Sequence, residues 1–324
     1  MWEGWNDYVK ELHLTTNIET IKQIEERSVE TIYSTNRIMK LSSRIISSVR
    51  RRLHKDIIYK IGLTSSILSY CENKALIEQG IKMNDLPMYQ YCNKLHELTN
   101  IRKLTDAGKI RVGRNGDGGY VMADVLSEEK IAYSIGIGGD VSWDRQMAEA
   151  GYDVYMYDHT IRKCPEENSR FHWKKIGIGG GELPKIRTFE DILKANGHLN
   201  MQGMVLKMDV EGTEWDVLDL LPEEILKKFD QIVMELHWLL DIRNAEKILR
   251  VLEKLSRSHE VIHIHGNNYN RLEFTGNLIT QDCIEITYVL KGKYRTERCD
   301  GLLPTALDFP NNIELPEMLG KWNV

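Results

Sequence analysis

The chain of 324 residues lacks the signatures that would set it apart from ordinary globular proteins. Its five cysteines, Cys71, Cys92, Cys164, Cys283 and Cys299, are odd in number and form no Cys-x-x-Cys or other metal-type pair. They fit reduced thiols in a cytoplasmic protein better than a disulfide framework. No long apolar run occurs: the most apolar early stretch, residues 57–70, is short and holds Lys60, so no transmembrane segment is expected. Met1, Trp2 and Glu3 lead into polar residues and not into the apolar core of a signal peptide. Neither sign of charge dominates. Residues 1–100 carry 14 Lys/Arg against 12 Asp/Glu, and the remainder 29 against 36, for a net charge of −5. With no basic stripe and no interleaving of aromatic and basic residues, nucleic acid is not an expected partner.

What is present divides into two regions. Residues 16–99 read as helical. Thr16 and Glu19 form a capping box, and Ile18, Ile21, Ile24, Val29, Ile32, Ile38, Leu41, Ile45, Val49 and Leu53 recur mostly at spacings of three and four. Such a stripe needs a partner: the helices expected over about 56–79 and 86–99 (the latter capped by Asp85), or a second subunit. Residues 1–100 are therefore assigned as a helical region that oligomerises or covers the rest, and a homo-oligomer is expected. The basic cluster at 50–55 reads as a solvated helix face, with anionic lipid or a phosphorylated substrate as the alternative.

From residue 101 to 324 strands and helices alternate. Strands are expected at 130–136, 152–157, 170–176, 203–209, 230–236, 259–264 and 283–290. Helices are expected at about 143–150, 188–196, 213–227 and 243–257. This is an α/β pattern, predicting a mostly parallel sheet covered on both faces. The last strand follows a loop with no clear helix, so it is expected to return antiparallel.

The most informative stretch is 130–159. A buried strand ends in Gly136-Ile137-Gly138-Gly139-Asp140, Ser142 can cap the following helix, and a second strand ends at Asp158. A glycine turn followed about 20 residues later by a carboxylate marks a site for a nucleoside-containing cofactor. A dinucleotide fingerprint would need glycine or alanine where Val141 stands, and Asp140 would repel phosphates. The cofactor indicated is one without phosphate, such as S-adenosylmethionine.

Three later strand ends carry polar groups. The strand at 203–209 runs into Asp209-Val210-Glu211-Gly212; the next ends in Glu235-Leu236-His237-Trp238; the one after that ends in His263, His265 and Asn267. In an open α/β sheet these share a rim with Gly136 and Asp158. Acids and histidines gathered there suit acid–base chemistry or a divalent metal. Ahead of the first strand, the glycine-rich run 111–121 reads as a hairpin leaning over the cofactor.

These residues resemble a known family. Lys207-Met208-Asp209-Val210-Glu211-Gly212 is similar to a hallmark of FkbM-like S-adenosylmethionine methyltransferases. Asp117-Gly118-Gly119-Tyr120-Val121 and Tyr133-Ser134-Ile135-Gly136, with Asp158, resemble other segments of the same group. The resemblance covers about 105–290. It implies a Rossmann-like class I methyltransferase sheet and O-methylation of a sugar, polyketide or similar hydroxyl compound. A small-molecule or glycan acceptor is expected, with bacterial surface-polysaccharide modification as the setting.

The roles expected on this reading are specific. Asp158 binds the ribose. Gly136, Gly138 and Asp140, with Asp117, Gly119, Tyr120 and Asp209, frame the methionine part, and Gly177 approaches the adenine. His237 and His265 are the base candidates because an unperturbed histidine titrates near neutrality, and Asp209 orients the acceptor. Glu211, Glu235, Trp238 and Asn267 are expected to contact the acceptor, with Trp143, Tyr157 and Tyr269 as further aromatic candidates. A divalent ion such as magnesium, where present, would be held by Asp209, Glu235 and His237. Two other classes remain open: a non-catalytic scaffold acting through the helical arm, and an NAD-dependent oxidoreductase, which Val141 and Asp140 disfavour.

Overall fold

Three adjacent strands in the middle of a seven-stranded sheet bury every one of their residues. The structure, a computed structural model, describes residues 74–75, 77–78, 80–125, 129–180, 185–275 and 278–323. The helices expected over 16–55 and most of 56–79, with their capping box and basic cluster, lie outside the described residues. In chain order the elements are α1 (Pro87–Leu98), β1 (Ile131–Ile135), α2 (Ser142–Glu149), β2 (Asp153–Tyr157), β3 (Phe171–Lys174) and α3 (Phe189–Ala195). They continue with β4 (Met204–Met208), α4 (Glu214–Leu220), α5 (Glu223–Leu226), β5 (Phe229–Leu236), α6 (Ala245–Ser258), β6 (His259–Gly266) and β7 (Ile284–Leu290).

The strand order is β6-β7-β5-β4-β1-β2-β3. Strand β7 runs antiparallel to β5 and β6, and the other pairings are parallel. This is the Rossmann-like sheet with a reversed final strand that the resemblance implies. Alternate residues serve opposite faces: Leu206, Ile232 and Met234 join one core cluster, while Val205 and Val233 join the other with Trp143 and Met147. Burial on both faces explains why β1, β4 and β5 read as continuous rather than alternating runs. Helix α6 buries Ile248, Val251, Leu252 and Leu255, the spacing of one helical face.

Strand order reverses between β1 and β4, and a crevice forms beyond their C-terminal ends. Register fixes what meets there. Ile135 pairs with Met208, so Gly136 and Asp209 leave the sheet side by side.

Several local expectations change. The helix expected over 213–227 is two helices, because Pro222 cannot continue a helix and pushes Leu221 into extended backbone. Ser142 is the first residue of α2 and not its cap; Asp140 Oδ1 accepts from the Ser142 amide at 2.7 Å instead. Helix α1 starts with Pro87 and has no side-chain cap from Asp85. It buries Tyr91, Cys92, Leu95 and His96, and its His96 ring stacks on Trp322 near the other end of the chain, with centroids 4.2 Å apart. The run 109–123 forms the expected hairpin, Lys109–Val112 pairing with Tyr120–Ala123. A second hairpin, Leu272–Thr275 with Leu278–Gln281, was not anticipated. Residues 305–317 run back along the rim, tied down by His263–Asp308, His265–Glu317 and Asn268–Asn312 contacts. No described helix is long and apolar enough to cross a membrane.

Candidate functional site

A cavity of about 510 Å³ opens where β1 and β4 end. It is lined by the turn Gly136-Ile137-Gly138, by Tyr157 to Thr160 after β2, by 177–180 after β3, and by Asp209, Val210, Glu211 and Thr213 after β4. Gly136 has φ +77°, and a Cβ there would collide with the backbone carbonyl of Asp209. The close approach of the two strand ends therefore requires glycine. Lys207, buried on β4, donates from Nζ to the Gly136 carbonyl at 3.0 Å and fixes the turn from beneath.

Asp158 fronts this cavity, but its carboxylate is occupied. Oδ2 accepts from the amides of Ile137 (3.1 Å) and Gly138 (2.9 Å). Oδ1 accepts from the Thr160 amide (2.7 Å), the Thr160 hydroxyl (2.6 Å) and the Ile161 amide (3.4 Å). Burial opposes its charge, yet these donors outweigh burial and hold its pKa below the ordinary carboxylate range. Both oxygens of the residue expected to bind the ribose thus shape the turn.

Beside the cavity lies a buried polar cluster centred on His237. Its Nδ1 is hydrogen-bonded to Glu214 Oε1, and its Nε2 stands 3.5 Å from both Glu211 and Glu235. Asn267 donates to Glu235 Oε1 at 2.5 Å, and the Cys283 thiol reaches the same oxygen at 3.2 Å. Asp209 joins cavity and cluster: it lines the former, Tyr120 donates to its Oδ2 at 3.4 Å, and its Oδ1 is buried without a partner. Burial disfavours a charged His237 ring, but the Glu214 hydrogen bond and the charges of Glu235, Glu214 and Asp209 prevail, pushing its pKa up to about 9. The ring thus holds a proton at neutral pH, and the argument from an unperturbed histidine is corrected. Burial and the Asp209 charge push the Glu235 carboxyl well above its usual range.

His265 is not placed for acid–base work. Its Nδ1 is bonded to Glu285 and its Nε2 to Glu317, both at 3.0 Å, so neither nitrogen is left for an acceptor. Glu235 and Asn267 are buried against each other instead of facing solvent. Trp143 belongs to the core, and Tyr157, itself buried, forms part of the cavity wall. Trp238 is 54% exposed, with φ +60°, and stands over Gly212, where a Cβ would come within 2.5 Å of its indole nitrogen. Glu211 also has a left-handed φ, +55°, and its side chain is 87% exposed. Two strained non-glycine residues at one mouth mark a place where geometry is held against local preference.

Asp117, Gly119, Tyr120 and Asp140 do not line the cavity. Asp140 is turned to the start of α2 and to Arg114, 3.1 Å away, because an unsatisfied helix terminus attracts a carboxylate. The glycine loop wraps that same terminus: the Gly113 amide donates to Gln146 and the Arg114 amide to Ser142. Gly136, Gly138, Asp158, Gly177, Asp209 and Glu211 do come together around the cavity. Sequence reasoning missed Lys207 as a support for the turn, and Glu214 and Cys283 as neighbours of His237 and Glu235. Only Glu214, in the first turn after Glu211, carried a local signal; Cys283 is brought in by the antiparallel return of β7. The combination expected to hold a metal, Asp209, Glu235 and His237, is not one cluster; Glu235, His237 and Cys283 converge, as do Asp209, Glu211 and His237.

A family model described as a methyltransferase domain matches residues 98–290, a span that contains the glycine turn, Asp158, Asp209 and the His237 cluster. No curated protein gives a match to the chain.

Proposed function

Since the chain belongs to the methyltransferase-domain family, we propose that it transfers the methyl group of S-adenosylmethionine to a hydroxyl of a sugar or glycan-like small molecule. The reading is that of the FkbM-like enzymes that segment 207–212 resembles, set in the cytoplasm and in bacterial surface-polysaccharide modification. A homo-oligomer built through residues 1–100 belongs to the same proposal. The observation that carries it is the junction at Asp209, where a cavity framed by a glycine turn adjoins a polar cluster. The cavity has room for a nucleoside cofactor, and the terminus of α2 that follows the glycine turn is taken by Asp140 and not left for a pyrophosphate.

The chemistry asked of the protein is alignment. The acceptor oxygen attacks the methyl carbon as the carbon–sulfur bond breaks, and the electron pair goes to sulfur, leaving a neutral thioether. Asp209, which lines the cavity and has one oxygen without a partner among the described residues, takes the hydroxyl proton. His237, protonated at neutral pH, balances the charges of Glu214 and Asp209 and sets their positions. Asp158 acts on the ribose side by fixing the glycine turn, Gly177 lies on the adenine side, and Glu211 and Trp238 flank the acceptor's entry.

Incubation with S-adenosylmethionine labelled at the methyl group and a panel of free, nucleotide-linked and polymeric sugars tests this. Label should appear in a base-stable ether product, and Asp209→Asn should lower the rate by about 10²–10⁴. Failure of the folded protein to bind S-adenosylhomocysteine, with no label transferred, would remove the reading.

A further inference from the structure

We propose that Glu235, His237 and Cys283 hold a divalent cation of the zinc class in the buried cluster behind the cavity. Ligand atoms of the three residues lie within 4.8 Å of one another, and their residue exposures are 5%, 7% and 1%. The arrangement is already close to a coordination shell. His237 Nε2 is 3.5 Å from Glu235 Oε2, and Cys283 Sγ is 3.2 Å from Glu235 Oε1. A tetrahedral zinc ion with bonds of about 2.0–2.3 Å sets its ligands about 3.3–3.8 Å apart, so small movements complete the site.

The surroundings are those that hold a metal ligand in place. Glu214 binds His237 Nδ1, which leaves Nε2 as the coordinating nitrogen and makes the ring a stronger donor. Asn267 orients the Glu235 carboxylate. Independently, Glu214 is fully buried with Oε2 unpartnered among the described residues, and so is the buried Asp209 Oδ1. One protonated ring faces the carboxylates of Glu211, Glu214 and Glu235 here, and a divalent cation adds charge for buried oxygens that a single proton does not match. The thiol decides which cation. Magnesium needs an octahedral oxygen set, whereas a thiolate, an imidazole and a carboxylate suit zinc. On binding, Cys283 and His237 each release a proton to solvent, and no electron is transferred. Three protein ligands leave a fourth position open. If the methyl-transfer reading holds, that position lowers the pKa of the acceptor hydroxyl; the binding of the ion does not depend on it.

The test is titration of chelator-treated full-length protein with cobalt chloride and with zinc chloride. One equivalent should bind, cobalt should give a thiolate-to-metal absorption, and protons should be released. Cys283→Ser should abolish that absorption and weaken zinc binding about tenfold or more; Glu214→Gln should weaken it about 10–100-fold while the absorption persists. Circular dichroism and thermal unfolding report whether each variant is folded, and His237→Gln replaces Cys283→Ser should the latter not fold. Folded wild-type protein that takes up no zinc, or cobalt absorption that survives Cys283→Ser, would overturn the site. Zinc binding without S-adenosylhomocysteine binding sinks only the methyl-transfer reading; the converse sinks only the metal site.

Discussion

The carbonyl oxygen of Asp209 occupies the space that a side chain on Gly136 would need, so the ends of β1 and β4 touch only because residue 136 has none. The φ of +77° adds a second demand for glycine. Gly136→Ala should cost about 1–3 kcal/mol of stability from strain and remove cofactor binding from whatever folded protein remains. Thermal unfolding and calorimetry on the same preparation check both parts.

Asp158 holds the other side of the turn. Asp158→Ala leaves the amides of Ile137, Gly138 and Thr160 without their acceptor, which should cost about 1–3 kcal/mol. Cofactor affinity should fall by about tenfold or more, corresponding to 1.4 kcal/mol. Because the carboxylate's pKa is depressed, its contribution is present above the unfolded value near 4 and is lost as pH falls below it. Unchanged affinity and unchanged melting temperature in the variant would detach Asp158 from the site.

Trp238, exposed and strained, should act on the acceptor and not on the cofactor. In Trp238→Ala the acceptor KM should rise about 5–30-fold, as for the loss of roughly 1–2 kcal/mol of aromatic contact. Affinity for S-adenosylhomocysteine should stay within twofold. Equal damage to both ligands would show that Trp238 only supports the loop around Gly212.

The tail pairing of His265 gives a prediction about pH. Burial opposes its charge, but the hydrogen bonds it donates to Glu285 and Glu317 prevail and raise its pKa to about 10. A histidine raised above its unfolded value near 6.5 contributes stability that is complete below that value and fades as pH rises towards 10. Melting temperature should therefore decline between pH 7 and pH 10, and His265→Asn should flatten that decline while lowering the neutral value. A decline of the same slope in the variant would assign it to other groups.

Much of this was legible in the chain because the central strands are buried on both faces and write themselves as apolar runs. The glycine turn after β1, the acid after β2 and Asp209 after β4 also follow from strand ends on a single rim. What could not be read was the direction of side chains. Asp140 and the 113–119 loop look like cofactor groups in sequence, yet a helix terminus claims them. His265 looks like His237 in sequence, but two carboxylates from distant segments, Glu285 and Glu317, take both its nitrogens. Cys283 has no motif around it, since its neighbours His237 and Glu235 are reached only through the antiparallel pairing of β7 with β5. The break at Pro222 was missed, although a proline inside a helical run marks one.

Cofactor use is tested most directly by calorimetric titration of the full-length protein with S-adenosylhomocysteine and then with NADH. One-to-one binding of S-adenosylhomocysteine alone, lost in Gly136→Ala, is the expected result. A folded protein that ignores S-adenosylhomocysteine, or that binds NADH in its place, would contradict the proposed methyl transfer.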